Sequence, residues 1–122
     1  MMADAPQEEQ RRRPRVAHRL LVRYRPPVEG ATEWLVSPLR DLSGGGARFL
    51  SEHAFAAGES FELQLLLPAA QEPVTLKARV AWTRSAPMRL TELGVTFDPD
   101  DVMIQRLIDA TVEHFLQRQR AD

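Results

Sequence analysis

Two short stretches of the chain hold residues whose types and spacing can do chemistry. The first reads "RDLSGGGARFL", Arg40 to Leu50, and sets an acid, a hydroxyl and three consecutive glycines directly before an apolar run. Asp41 and Ser43 can each accept a hydrogen bond from a nearby backbone amide, so one reading is an ordinary capped turn. The other reading is a ligand site. Without Cβ atoms, Gly44, Gly45 and Gly46 would let a ligand approach the main chain, whose amides are anion donors. Ser43 would add a hydroxyl, and Asp41 could accept from the N1–H and N2–H₂ edge of a guanine or orient an arginine. The stretch is not a P-loop, since no lysine follows the glycines, and it is neither G-x-G-x-x-G nor the G-x-S-x-G elbow.

The second stretch is "QRRRPRV". From Arg11 to Arg25 the chain carries seven arginines and no acid, whereas its formal net charge is −1 and it holds a single lysine, Lys77. Arg11 and Arg15 are spaced R-x-x-x-R. Pro14 fixes its own φ and pushes Arg13 towards extended geometry, where positions four apart point the same way. A guanidinium is a planar fork that holds phosphate or guanine with two parallel bonds. A solvated basic tail is the competing reading of this arm.

Other chemistries find little support. The chain has no cysteine, which excludes disulfides and thiolate sites, and His18, His53 and His114 are too far apart for a ligand pair such as HxxxH. No metal site and no nucleophile–base or paired-carboxylate motif stands out, so an enzyme is the least supported class. The amino-terminal "MMADAPQEEQ" lacks the apolar core of a secretory signal, and the apolar run around "LLLPAA" is too short to span a bilayer. A soluble, cytoplasmic protein without membrane insertion is expected.

The elements that must carry these residues follow from periodicity. Residues 1–10 predict a disordered tail. Period-two alternation then marks strands. Leu20, Val22 and Tyr24 form one face, with Arg19, Arg23 and Arg25 opposite. Trp34 and Val36 predict a second strand ended by Pro38, and Ala47 and Phe49 begin a third. Phe61, Leu63, Leu65 and Leu67 mark a fourth, and Val74, Leu76, Ala78, Val80 and Trp82 a fifth, with Trp82 read as core. "SAPMRLTE" reads as a hairpin connection into a last strand carrying Val95 and Phe97, where Gly94 serves close strand packing. The period then becomes helical over about 99–118. Asp98 is placed as the cap and Pro99 at the first position. Ile104, Leu107, Ile108, Thr111 and Phe115 form its apolar stripe, beside Val112 and Leu116. The stripe covers one barrel opening or serves as the seam of a weak homodimer. Six short strands and a helix predict one barrel or sandwich domain over 11–116, with 119–122 as a tail.

The arginine pair before the first strand and the glycine turn before the third, taken together, resemble a family. R-x-x-x-R at Arg11–Arg15, "RVAHRLLVRY", D-x-S-x-x-G at Asp41–Ser43–Gly46, "GARFL" and "LGVTF" look like a PilZ domain, over about residues 10 to 116. The resemblance implies a six-stranded antiparallel β-barrel with a C-terminal α-helix. It also implies a bacterial, non-enzymatic receptor for the second messenger cyclic di-GMP, of the kind that governs motility or biofilm formation and signals to a downstream partner protein. Carried over residue by residue, Arg11 and Arg15 would contact guanine and phosphate, Asp41 and Ser43 a guanine edge or phosphate, and Gly46 would let the ligand sit close. Arg12, Gly44, Gly45 and Arg48 are further candidate contacts. No cofactor or metal is implied.

The ligand chemistry agrees. Guanine offers O6 and N7 to an arginine fork, worth about 1–3 kcal/mol of discrimination. Ordering an arm of some five residues costs about 1–2 kcal/mol each, so affinity on the order of micromolar is expected. Gln10, next to Arg11, leaves open whether one or two ligand molecules bind. Two other functions compete: a PilZ-fold protein–protein adaptor in motility or pilus machinery that does not use the nucleotide, and a binder of long nucleic acid. Net charge and the lack of an exposed aromatic row argue against the second.

Overall fold

The computed structural model describes residues 20–30, 33–68 and 70–121, with side chains to 118. Six strands, β1 (Leu21–Arg25), β2 (Leu35–Leu42), β3 (Gly46–Ser51), β4 (Ser60–Leu65), β5 (Val74–Ser85) and β6 (Thr91–Asp98), precede one helix, α1 (Val102–Ala121). All pairings are antiparallel, and the sheet closes in the order β1-β2-β3-β6-β5-β4. Closure leaves no long free edge, which is how a small all-β domain avoids edge-to-edge association.

Alternation fills the barrel. Val22 and Tyr24 from β1, Phe49 from β3, Phe61, Leu63 and Leu65 from β4, and Leu76, Ala78 and Val80 from β5 are buried together. Tyr24 packs against Phe49 with ring centroids 5.2 Å apart. Its hydroxyl accepts from the Glu52 N–H at 2.9 Å, so the one polar tip in this layer is satisfied. Fully burying side chains of this size contributes about 1.5–3 kcal/mol each.

β2 departs from the sequence expectation. Pro38 does not end the strand, and Val36 faces out and is half exposed, while Ser37 and Leu39 face in. The Leu39 N–H donates to the Leu20 carbonyl at 2.7 Å. Successive N–H groups alternate sides, so the Pro38 nitrogen faces away from β1. On that side pairing with β3 begins only at Leu39, and no ladder bond is lost.

The helix starts later than expected. Asp98 is the last residue of β6, paired with Lys77, and Asp101 caps instead: its Oδ1 accepts from the Met103 N–H at 2.9 Å. The expected stripe is the buried face. Ile108, Thr111, Val112 and Phe115 are buried, and Ile104, Leu107 and Leu116 pack against the same core as the barrel residues. No helix among the described residues is long and apolar enough to cross a membrane.

Candidate functional site

The glycine turn is built by Ser43. Its N–H donates to the Gly46 carbonyl at 2.8 Å, and its Oγ accepts from the amides of Gly45 (3.3 Å) and Gly46 (3.2 Å). The hydroxyl itself lies 3.3 Å from the Gly46 carbonyl as a donor. Ser43 is buried, so in this conformation its bonds are spent on the turn. Gly46 has a packing reason: a Cβ there would lie 2.1 Å from the Val95 carbonyl oxygen of β6. Two outside groups hold the turn from the far side. The Phe97 N–H donates to the Gly45 carbonyl at 2.9 Å, and Gln105 Nε2 of α1 donates to the Gly44 carbonyl at 2.7 Å.

Asp41 is set by a bulge. Inward Leu39 and Leu42 pair with inward Phe49 and Ala47, and the register shifts between Leu39 and Asp41. Arg40 and Asp41 therefore oppose the single outward residue Arg48. Both face outward, and Arg48 Nε donates to Asp41 Oδ2 at 3.1 Å.

A second bulge lies on the other flank of the β3–β6 pair. Val80 pairs with Val95 and Trp82 with Gly94, leaving Ala81 extra. The expectation that Trp82 continues the core alternation fails here, because the extra residue turns the indole onto the outer wall, where it is half buried. It lies over Gly94, where a Cβ would come within 2.2 Å of the ring. Gly94 thus serves close packing, as expected, with the indole as its neighbour. The outcome is one row across four strands, Asp41, Arg48, Gly94 and Trp82, in direct register and with a bulge at each flank.

Beside this row sits Glu92, buried although it faces outward. Arg84 holds its Oε1 through Nε at 3.0 Å and through Nη2, and Arg48 Nη1 reaches Oε2 at 3.3 Å. Arg40 Nε is 3.9 Å from the same oxygen, and the Arg84 guanidinium carbon stands 5.7 Å from the Trp82 ring centroid. Three guanidinium groups, two carboxylates, an indole and a bare backbone therefore share one patch of the barrel wall. Such a patch can stack a flat heterocycle, accept from its N–H edge and hold an anion. Among the described residues no group of ligands for a metal ion forms.

Residues 9–113 match the family model of the PilZ domain. The chain belongs to the PilZ domain family. The PilZ domain is a non-catalytic module. The fold is shared with the PilZ domain of YcgR from Escherichia coli, solved with c-di-GMP, at 16% identity and a TM-score of 0.67; the match covers 92% of this chain and 95% of that one. It is shared with MrkH of K. pneumonia in its apo state, at 18% identity and a TM-score of 0.71, covering 99% of this chain and 53% of that one. It is shared too with the Bacillus subtilis inhibitor of motility (MotI/DgrA), at 17% identity and a TM-score of 0.68, covering 100% of this chain and 54% of that one. This PilZ domain thus spans about half the length of MrkH and of the B. subtilis protein. No curated protein matches the chain.

Of the residues singled out from sequence, Asp41, Ser43, Gly44, Gly45, Gly46 and Arg48 meet at one end and wall of this PilZ domain. Arg11, Arg12 and Arg15 lie outside the described residues. Sequence reasoning missed Glu92, Arg84 and Arg40, which meet only through the pairing of distant strands. The one available signal was an acid, Glu92, directly before a core residue in a strand whose other outward positions are Gly94, Thr96 and Asp98.

Proposed function

We propose that this PilZ domain is a cytoplasmic receptor for cyclic di-GMP, with the ligand seated on the outer wall over the row from Asp41 to Trp82. In this reading Asp41 accepts from a guanine N–H edge, Arg48 and its neighbours meet phosphate, and the Trp82 indole stacks on a base. Arg11 and Arg15 close over the ligand from the amino-terminal side. That change in arm conformation creates the surface a downstream protein reads.

The observation that carries this reading is the placement of Leu20, just before β1. Leu20 accepts from Leu39, two residues before Asp41, and β1 runs antiparallel to β2. The amino-terminal segment is therefore attached on the Asp41 side of the β1–β2 pair. Arg15 precedes Leu20 by five positions, an extended reach of about 17 Å, while the row from β2 to β5 spans roughly 14 Å at about 4.8 Å per strand. An arm of this length can cover the row. The solved complexes of the YcgR PilZ domain and of MrkH with c-di-GMP add family support.

The fully occupied hydrogen bonds of Ser43 shape its part in the reading. A bond from its Oγ to ligand replaces one within the turn, whereas the backbone it arranges is available without rearrangement. The adaptor reading, without nucleotide, shares the fold and is separated by calorimetry. Titration of the full chain with cyclic di-GMP is expected to give saturable binding that Arg15→Ala and Asp41→Ala abolish at unchanged fold. Absence of binding by the wild type would leave the adaptor reading.

A further inference from the structure

Glu92 is a costly residue to place where it is. A carboxylate taken out of water must be compensated by several donors, and one truncated partner leaves it exposed to the full penalty. Its side chain is 7% exposed, whereas those of Arg84, Arg40 and Arg48 are 67%, 52% and 33% exposed. The acid lies beneath and the guanidinium groups lie above it, towards solvent. Arg48 also bonds Asp41, so a continuous chain runs Asp41–Arg48–Glu92–Arg84 and ends beside Trp82.

We propose that Glu92 is a positioning residue for the dinucleotide: it anchors Arg48 and Arg84 from below so that their outward N–H groups form a fixed anion seat on the barrel wall. The inference rests on the cyclic di-GMP reading. The physical argument is preorganisation. A free arginine side chain must lose its rotamer freedom when it grips phosphate, and an anchored one has already lost it. Guanidinium carries five N–H donors, and the bonds to Glu92 and Asp41 use two on Arg48 and two on Arg84. Donors remain on both groups for the ligand.

The sign of one substitution separates this from simple charge balance. Glu92→Gln removes a negative charge beside a site for a dianion. Coulomb attraction alone predicts tighter binding. Loss of positioning predicts weaker binding despite the added positive charge.

The test is calorimetric titration of the full chain with cyclic di-GMP, together with NMR of the arginine Nε–H groups in the ligand-free protein. The expected result is affinity about tenfold weaker in Glu92→Gln, the size of one charge-assisted hydrogen bond. The Arg84 Nε–H signal, whose acceptor is Glu92, collapses towards the free-arginine position, while the Arg48 Nε–H keeps its bond to Asp41, and Glu92→Asp lies between. If Glu92→Gln does not fold, Arg84→Lys keeps the charge but loses the two-point hold, and the same weakening is expected of it. Equal or tighter binding by the folded variant, with the wild type binding, overturns the inference and leaves the receptor reading intact. A wild type that does not bind overturns the receptor reading and this inference with it.

Discussion

Gln105 on the first turns of the helix donates to the Gly44 carbonyl at 2.7 Å, joining residues 61 positions apart. This bond ties the carboxy-terminal helix to the glycine turn, and it supplies a partner to a carbonyl that no strand pairing reaches. Gln105→Ala is expected to lower stability by about 1 kcal/mol, the net worth of one such bond. Urea unfolding measures it, and faster amide exchange at Gly45 and Gly46 would report the loosened turn.

Gly46 makes a sharper prediction. A methyl group there would meet the Val95 carbonyl oxygen at 2.1 Å, and backbone on backbone has nowhere to yield. Gly46→Ala should destabilise the barrel by about 1–3 kcal/mol or more. Chemical denaturation checks this. Any loss of ligand binding by that variant reflects the strained β3–β6 pair as well as ligand approach, so binding data on it are read beside its stability.

The ion pair between Arg48 and Asp41 should behave differently. The carboxylate is only 12% exposed and the guanidinium 33%, but asparagine keeps an oxygen acceptor for Arg48, so the substitution costs about 1 kcal/mol of stability. Asp41→Asn should therefore unfold only slightly below the wild-type midpoint. Its binding should weaken by about 1.5–3 kcal/mol, as for a hydrogen bond to a charged group. Thermal melts beside calorimetry separate the two effects.

The two tryptophans offer an optical test. Trp34 lies under the Arg25 guanidinium at 4.1 Å, while Trp82 lies over Gly94 on the wall proposed for the ligand. Ligand addition should change Trp82 emission, so Trp34→Phe keeps the response and Trp82→Phe loses it. Trp82→Ala should weaken binding by about 1–3 kcal/mol, the usual value of base stacking on an aromatic ring.

Much of the barrel was legible because its strands are half buried. Val22 and Tyr24, or Phe61 through Leu65, alternate cleanly where one face meets the core and the other meets water. Legibility failed at the two bulges. One extra residue near Arg40 and another at Ala81 break the period of two, and Trp82 was read onto the wrong face for that reason. Val36 was misread because Trp34 and Val36 offered the more apolar alternation, while the inward positions of β2 begin with Ser37. The helix cap was misplaced because Asp98, Asp100 and Asp101 are equivalent by type, and only the pairing of Asp98 with Lys77 extends β6 past the first of them. Asp41 and Ser43 could be found from local spacing. Glu92, Arg84 and Arg40 could not, since their meeting depends on strand order.

The most direct measurement is the amide and arginine NMR spectrum of the full chain with increasing cyclic di-GMP. Seating on the proposed wall predicts perturbations concentrated at residues 40–48, at Trp82 and Arg84, at 92–96, and at the arginine arm. Perturbations centred instead on the opposite wall, at Leu21, Val36 and Gln64, or a spectrum unchanged at saturating ligand, would contradict it.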